Sequence, residues 1–276
     1  MPSSGPIGVF DSGYGGLTVL RSLTAAFPEY DFVYYGDNAR APYGGRSFEV
    51  VYRYTLEAVK QLFDLGAPLV ILACNTASAK ALRTIQQRDL PGLAPANRVL
   101  GVIRPSVEYL GQASRGGHIG VVGTVGTVLS ESYPLEIAKL YPDFKVVQEA
   151  CPMWVPLIEN QELASEGTEF FVRQNLTGLF SRAPETDTLI LGCTHYPLLL
   201  PLIQRFVPAG VAIIDQGPVV ADRLRDYLLR HPEMDERLSR GGQLAFYTSE
   251  DPLRFNASAS FFLGRSVFAR HLPVRR

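Results

Sequence analysis

Short apolar runs alternate with longer amphipathic stretches along the chain. The apolar runs end at small, polar or glycine residues, which is typical of buried strands followed by turns. Between them, apolar positions recur with helical spacing, as at Leu17, Leu20, Leu23 and Phe27. The pattern predicts strands at 7–10, 31–35, 69–73, 99–103, 119–122, 145–149, 188–191, 211–214 and 242–248. It predicts helices over about 17–27, 47–65, 76–88, 105–113, 130–140, 166–180, 219–228 and 251–263.

Strands that alternate with helices predict an α/β fold with parallel sheets and helices on both faces. The Pro-, Gly- and Ala-containing segment 91–97 lacks periodicity and indicates a crossing between domains. We expect two similar α/β domains with mainly parallel central sheets, residues 1–97 plus 210–276 in the first and 98–209 in the second. Ligands of such sheets bind at the carboxyl ends of the strands, so the active site is expected in the cleft between the domains.

Composition narrows the class of partner. The chain of 276 residues has a formal net charge of -1, from 26 Lys and Arg against 27 Asp and Glu. This balance predicts no nucleic-acid or membrane-surface partner and favours a small molecule. No apolar run approaches the roughly 20 residues that span a bilayer, and the N-terminus lacks a secretory pattern. We therefore expect a cytoplasmic enzyme.

Two of the three cysteines share a context. Cys74 and Cys193 each follow an apolar run and precede polar residues suited to begin a helix, whereas Cys151 is followed by proline. The cysteines are too few and too widely spaced for a disulfide framework or a zinc site, so the sequence predicts free thiols. A single free cysteine is often only a small buried apolar residue, but the repeated context favours chemistry for this pair.

Two thiols without a metal or a disulfide suit the racemisation of an amino acid. One base removes the α-proton, and a conjugate acid on the opposite face returns a proton. The unperturbed thiol pKa of about 8.5 lets thiolate and thiol coexist near neutrality. Helix N-termini would favour the thiolate, with Asp11 assisting Cys74, and His195 or Glu159 assisting Cys193.

The first strand leads into a glycine-rich turn, Asp11-Ser12-Gly13-Tyr14-Gly15-Gly16. Its backbone N–H groups could bind a carboxylate or phosphate at the start of a helix. Its spacing does not match the dinucleotide or Walker motifs. The alternative is that Asp11 and Ser12 only cap the following helix.

A series of motifs, in order over nearly the whole chain, resembles the glutamate racemases of bacterial peptidoglycan synthesis. They are Asp11-Ser12-Gly13-x-Gly15-Gly16, Tyr35-Gly36-Asp37, Pro42-Tyr43-Gly44, Ala73-Cys74-Asn75-Thr76-Ala77, Cys151-Pro152 with Glu159, and Gly192-Cys193-Thr194-His195-Tyr196-Pro197-Leu198. The resemblance implies a cofactor-independent interconversion of L- and D-glutamate that supplies D-glutamate for the cell wall. It also implies a homodimer and no metal.

The resemblance also implies roles for particular residues. Cys74 would be the acid/base thiol on the D-glutamate side and Cys193 the one on the L-glutamate side. Asp11 and His195 would assist them. Asp37 and Glu159 would lend support, with Glu149 and Glu162 as competitors for the latter position. The substrate would be held by Ser12, Pro42, Tyr43, Gly44, Asn75, Thr76, Thr124 and Thr194. After Asp215 the chain has Gln216-Gly217-Pro218, where the family more often has small polar residues.

Other functions remain open at this point. An aspartate racemase, or another two-cysteine racemase of the same superfamily, would share the cysteine turns. A small-molecule binding or regulatory protein would have the same fold but would catalyse no reaction. A thiol hydrolase would use Cys193 and His195 and leave Cys74 dispensable.

Overall fold

The computed structural model describes residues 4–274, whose strands form two fully parallel sheets. The larger sheet has the order β10-β9-β2-β1-β3-β4 and the smaller sheet the order β6-β5-β7-β8. The strands are β1 (Ile7–Asp11), β2 (Phe32–Gly36), β3 (Leu69–Leu72), β4 (Arg98–Gly101), β5 (His118–Gly123), β6 (Lys145–Ala150), β7 (Thr188–Gly192), β8 (Ala212–Ile214), β9 (Leu244–Thr248) and β10 (Ala269–His271). The predicted α/β class with parallel sheets is confirmed.

Helices connect the strands and cover the sheets. The α-helices are α1 (Gly16–Ala26), α2 (Phe48–Asp64), α3 (Asn75–Lys80), α4 (Leu82–Thr84), α5 (Leu90–Leu93), α6 (Ile103–Glu108), α7 (Leu110–Ala113), α8 (Val125–Leu129), α9 (Ser132–Leu140), α10 (Trp154–Glu159), α11 (Glu166–Arg182), α12 (Leu200–Phe206), α13 (Gln216–Arg230), α14 (Pro232–Asp235) and α15 (Pro252–Leu263). Short 3-10 helices occupy Asn38–Arg40 and Tyr196–Leu199, and a π-helical turn occupies Ile85–Asp89. No helix within residues 4–274 combines the length and the apolarity needed to cross a bilayer.

The sheets divide the chain at residues different from the expected boundaries. β4 follows the predicted crossing at 91–97 yet pairs with β3, so the chain leaves the larger sheet only after Gly101. β8 pairs with β7, so the chain leaves the smaller sheet only after Ile214. Each boundary therefore lies one strand further along the chain, because a turn-rich sequence does not show which sheet the next strand joins.

Two helical regions differ from the prediction. The helix predicted over 76–88 breaks at Ala81, where φ is -124°, and continues as short turns to Leu93. Pro91 lies in the first turn of α5, where the missing N–H costs no helical hydrogen bond. The helix predicted over 130–140 is preceded by a separate helix, α8, so that a helix begins directly after β5.

The central strands are covered on both faces. All residues of β1 and β7 are buried, as their apolar runs predict for parallel strands between helical layers. One apolar cluster continues from the larger sheet into the smaller, with Leu20 on one side and Leu176 on the other. The two sheets therefore share a core, and the carboxyl ends of β1, β3, β5 and β7 contribute to a single cavity.

Candidate active site

A cavity of about 450 Å³ lies between the carboxyl ends of the two sheets. Its volume is within the range of small-molecule sites. The lining includes every site residue predicted from the sequence except Asp37: Asp11, Ser12, Pro42, Tyr43, Gly44, Cys74, Asn75, Thr76, Thr124, Glu159, Cys193, Thr194 and His195. The structure thus brings both cysteines to one site.

Cys74 follows β3 and is the N-cap of α3. Its Sγ accepts a hydrogen bond from the N–H of Ala77 at 3.5 Å and lies 3.4 Å from Ser12 Oγ. Burial, and then the charge of Asp11, outweigh these hydrogen bonds and raise the pKa of the Cys74 thiol to about 12. The helix N-terminus was expected to favour a thiolate, but the thiol of Cys74 stays protonated and neutral.

Cys193 has a different set of neighbours. Its Sγ lies 3.7 Å from Nδ1 of His195, whose Nε2 lies 2.9 Å from Oε1 of Glu159. Burial would lower the pKa of His195, but the hydrogen bonds and charges of Cys193 and Glu159 outweigh it and raise that pKa to about 10. His195 is thus an imidazolium at neutral pH, and Cys193 is the hydrogen-bond acceptor of the pair.

The geometry shows which of three candidate glutamates lies beside His195. Glu159 ends α10 and contacts the imidazole directly, with its side chain 31% exposed. Glu149 instead accepts hydrogen bonds from Arg182 at 2.7 Å and Asn175 at 2.9 Å. Glu162 contributes its backbone oxygen to the turn before α11. The exposed edge of Glu159 also gives His195 a connection to solvent.

Asp11 lies between the segments that carry the two thiols. One carboxylate oxygen accepts the N–H of Gly13 at 2.8 Å, and the other lies 3.5 Å from the hydroxyl of Thr194, which donates to it. Burial raises the pKa of Asp11, against the opposing charge of His195. Gly15, and not Asp11, is the N-cap residue of α1, but the Asp11 carboxylate also accepts a hydrogen bond from the backbone N–H of Gly16, the first residue of that helix.

Asp37 lies behind the cavity wall. Its carboxylate accepts hydrogen bonds from the phenol of Tyr43, from Arg40 at 2.6 Å and from Ser249 at 2.8 Å. Tyr43 separates this carboxylate from the cavity. Asp37 therefore holds Tyr43 in place and has no hydrogen bond with either thiol among the described contacts; its support of a thiol stays a prediction.

The glycine-rich turn brings the two sheets into close contact. A Cβ added to Gly15 would overlap Nδ1 of His195 and Oγ1 of Thr194. Next to it, Thr18 donates a hydrogen bond to the backbone oxygen of Thr194 at 2.8 Å. The absent side chain at Gly15 lets α1 lie directly against the Cys193 segment.

A second close contact joins the loop 41–47 to α8. The N–H of Gly126 donates to the backbone oxygen of Gly44 at 2.7 Å, and the hydroxyls of Thr76 and Thr124 lie 3.1 Å apart. Lys80 donates to the backbone oxygen of Arg46 at 2.7 Å. The loop is therefore held over the cavity by both halves of the molecule.

Parts of the site carried no signal in the sequence. Val125, Val155 and Pro156 form part of the apolar wall of the cavity, and apolar residues after strands do not distinguish a site from a core. Cys151 also lines the cavity, but its Sγ faces the backbone oxygen of Glu149 at 3.7 Å. Within residues 4–274 no group of three or more His, Cys, Asp or Glu side chains is arranged to hold a metal ion.

Comparison with known proteins agrees with this geometry. Residues 7–224 match the Asp/Glu/Hydantoin racemase family. A glutamate racemase of Dinoroseobacter shibae is 41% identical over 95% of this chain and 96% of its own, and one of Persephonella marina is 41% identical over 98% of each. The crystal structure of glutamate racemase isoform RacE1 from Bacillus anthracis has a TM-score of 0.89 at 34% identity, covering 98% of this chain and 99% of its own.

Two thiols that follow parallel strands and line one cavity, with acidic and imidazole neighbours, form a site of the kind expected in an amino-acid racemase. The chain belongs to the Asp/Glu/Hydantoin racemase family and, within it, to the glutamate racemases.

The contact between Gly126 and Gly44 makes a prediction about the loop. In Gly126→Ala, the new Cβ would lie 2.5 Å from the oxygen of Gly44 and 2.9 Å from Nζ of Lys80, so the loop must move outward. We expect amide hydrogen exchange in 41–47 to quicken about tenfold or more, as for a segment that loses its anchoring contact. Gly45→Ala, which meets open space, is the matched control. Equal exchange in the two variants would contradict this role.

The raised pKa of His195 predicts a pH-dependent contribution to stability. The folded pKa of about 10 exceeds the unfolded value of about 6.5, so the contribution is complete below pH 6.5 and is lost as the pH rises toward 10. Denaturant unfolding should show a stability difference between wild type and His195→Gln that narrows across this interval. For one proton, the difference in the free energy of unfolding should change by at most about 1.4 kcal/mol per pH unit. His231→Gln, at a partly exposed site, is the control; a constant wild-type minus His195→Gln difference would contradict the assignment.

Proposed function

We propose that this protein interconverts L- and D-glutamate without a cofactor, by exchange of the α-proton between Cys193 and Cys74. The observation that carries the proposal is the presence of both thiols in one cavity with unlike surroundings. Cys74, whose thiol pKa is raised by burial, is suited to act as the acid, and the Cys193 sulfur beside His195 is placed to act as the base of a two-base racemisation.

The reaction from L-glutamate begins at Cys193. Its sulfur, accepting a hydrogen bond from His195, removes the α-proton, and the Cys74 thiol delivers a proton to the opposite face. After product release the two thiols have exchanged protonation states. Resetting the enzyme requires that one proton leave Cys193, for which the His195–Glu159 pair offers a path to solvent, and that one proton reach Cys74 from solvent in the emptied cavity. The reverse reaction uses the same groups in the opposite order.

The cavity suits a substrate with two carboxylates. Among the described lining residues none is Lys or Arg, so the carboxylates are held by hydroxyls and backbone N–H groups. Ser12, Thr76, Thr124 and Thr194 supply hydroxyls around the cavity. Asp11 provides the negative charge for the substrate ammonium.

Glutamate is the favoured amino acid. A glutamate racemase of Francisella tularensis, whose structure holds D-glutamate, has a TM-score of 0.85 at 30% identity over 99% of this chain and 98% of its own. An aspartate racemase homologue from Pyrococcus horikoshii, at 19% identity and a TM-score of 0.53, shares the fold alone. We further propose that the protein works in the cytoplasm as a homodimer and supplies D-glutamate for peptidoglycan.

The test is incubation of the purified protein with L-glutamate in D2O. We expect deuterium at the α-carbon and a fall of the circular dichroism signal to zero. Cys74→Ser and Cys193→Ser should each slow racemisation by about 10²–10⁴-fold, because each loses a positioned acid or base. Cys151→Ser should retain most of the activity, because the hydrogen bond of this sulfur goes to a backbone oxygen and not to a catalytic side chain.

The outcomes separate the alternatives. Full activity in Cys74→Ser together with an acyl-enzyme on Cys193 would indicate a thiol hydrolase. Glutamate binding that survives both substitutions, with no α-deuterium in the wild type, would indicate a binding protein. Faster exchange of aspartate than of glutamate would move the assignment to aspartate racemase.

A further inference from the structure

We propose that Gln216 is a positioning residue that fixes the side chain of Asn75 in the orientation that presents its amide nitrogen to the substrate. The inference rests on the proposed function for its consequence in binding. Its structural basis is a closed ring of hydrogen bonds that links Gln216, Asn75 and Tyr133 beside the cavity.

The ring has a single consistent direction. Oε1 of Gln216 accepts from Nδ2 of Asn75 at 2.5 Å, and Nε2 of Gln216 donates to the phenol of Tyr133 at 2.8 Å. The phenol in turn donates to Oδ1 of Asn75 at 2.7 Å. Because a phenol has one proton to donate, its acceptance from Gln216 fixes its donation to Asn75. The orientation of each carboxamide therefore determines the other.

The contacts of Gln216 outside the ring also require Nε2 to be the donor. Ser106 donates its hydroxyl proton to the backbone oxygen of Val102 at 2.8 Å, so its oxygen is free to accept from Nε2 of Gln216, also at 2.8 Å. Nε2 of Gln216 also donates to the backbone oxygen of Val102 at 3.3 Å, and a backbone oxygen can only accept a hydrogen bond. A reversed Gln216 would place its own carboxamide oxygen against that oxygen, so the Val102 carbonyl fixes the orientation of Gln216. Gln216 is 2% exposed, so water cannot replace these partners.

Asn75 is the member of the ring that reaches the cavity. It follows Cys74 directly and is 3% exposed. One Nδ2 hydrogen is bound to Gln216, which leaves the second for a substrate oxygen. A reversed Asn75 would instead turn Oδ1 toward the substrate and repel a carboxylate. The ring therefore selects the donor over the acceptor at the position next to an acid/base thiol.

The ring also joins the two sheets. Asn75 follows a strand of the larger sheet, whereas Tyr133 and Gln216 follow β5 and β8 of the smaller sheet. A small polar residue at position 216 would be too short to reach Asn75 and Ser106 together. The longer side chain in this chain makes Asn75 orientation depend on both halves of the molecule.

The experiment replaces Gln216 by Met, which has similar length and no hydrogen-bonding amide. We expect the KM for both glutamate enantiomers, and the calorimetric Kd of the equilibrated mixture, to rise about tenfold, which is about 1.4 kcal/mol. The effect on kcat should be smaller. In an Asn75→Ala background the same change should add almost nothing, because Gln216 acts through Asn75.

Two further variants make the test specific. Gln61→Met replaces a similarly buried glutamine, 4% exposed, that bonds to the backbone of Pro273 far along the chain, and should leave KM unchanged. Tyr133→Phe removes only the phenol that fixes Oδ1 of Asn75 and should raise KM with the same dependence on Asn75. It carries the test if Gln216→Met does not fold.

A spectroscopic measurement separates this inference from the proposed function. The side-chain amide of Asn75 is assigned by the loss of its signals in Asn75→Ala. In the wild type it should give two resolved ¹H–¹⁵N signals whose protons exchange slowly with water. In Gln216→Met these protons should exchange fast. That result supports the positioning even if glutamate is not racemised. An Asn75 amide unchanged by Gln216→Met, or an equal rise in KM in the Asn75→Ala background, overturns it.

Discussion

The direct contact of α1 with the Cys193 segment is the constraint on which the site depends. Gly15 has no side chain to separate them, and the buried hydrogen bond from Thr18 to the backbone of Thr194 fixes their relative position. With that distance set, Asp11 at the end of β1 reaches the opposite wall. A cavity formed by two sheets thereby has a defined width, and groups on opposite walls can act on one carbon.

The two thiols occupy similar places in the fold but unlike electrostatic surroundings. Both follow buried strands, and both sulfurs lie at the edge of the cavity. Burial and the charge of Asp11 keep Cys74 protonated against its hydrogen bonds with Ser12 and Ala77, whereas Cys193 lies beside an imidazolium. The similar topology thus places two equivalent groups, and their different surroundings make one an acid and leave the other as the hydrogen-bond acceptor. Unequal starting states are what a transfer between two thiols requires.

Periodicity and turn chemistry predicted the fold class and most strands because buried parallel strands are nearly continuous apolar runs. They could not assign β4 or β8 to a sheet, since strand pairing depends on contacts far apart in sequence. The cysteine contexts and motifs located the cavity lining. Asp37 was expected to support a thiol and lies behind Tyr43, and the ring around Gln216 was not anticipated, because a motif identifies residues but not the partners of their polar atoms.

The order of the strands has a consequence for synthesis. The smaller sheet is one uninterrupted stretch, 118–214, inserted between strands of the larger sheet. β2 obtains its second neighbour only from β9, at residues 244–248. As the chain leaves the ribosome, the inserted sheet is complete while β2 still presents an open edge to other chains. The larger sheet, which carries Cys74, is therefore completed last, and it is the part of the chain that can pair wrongly with other chains during synthesis.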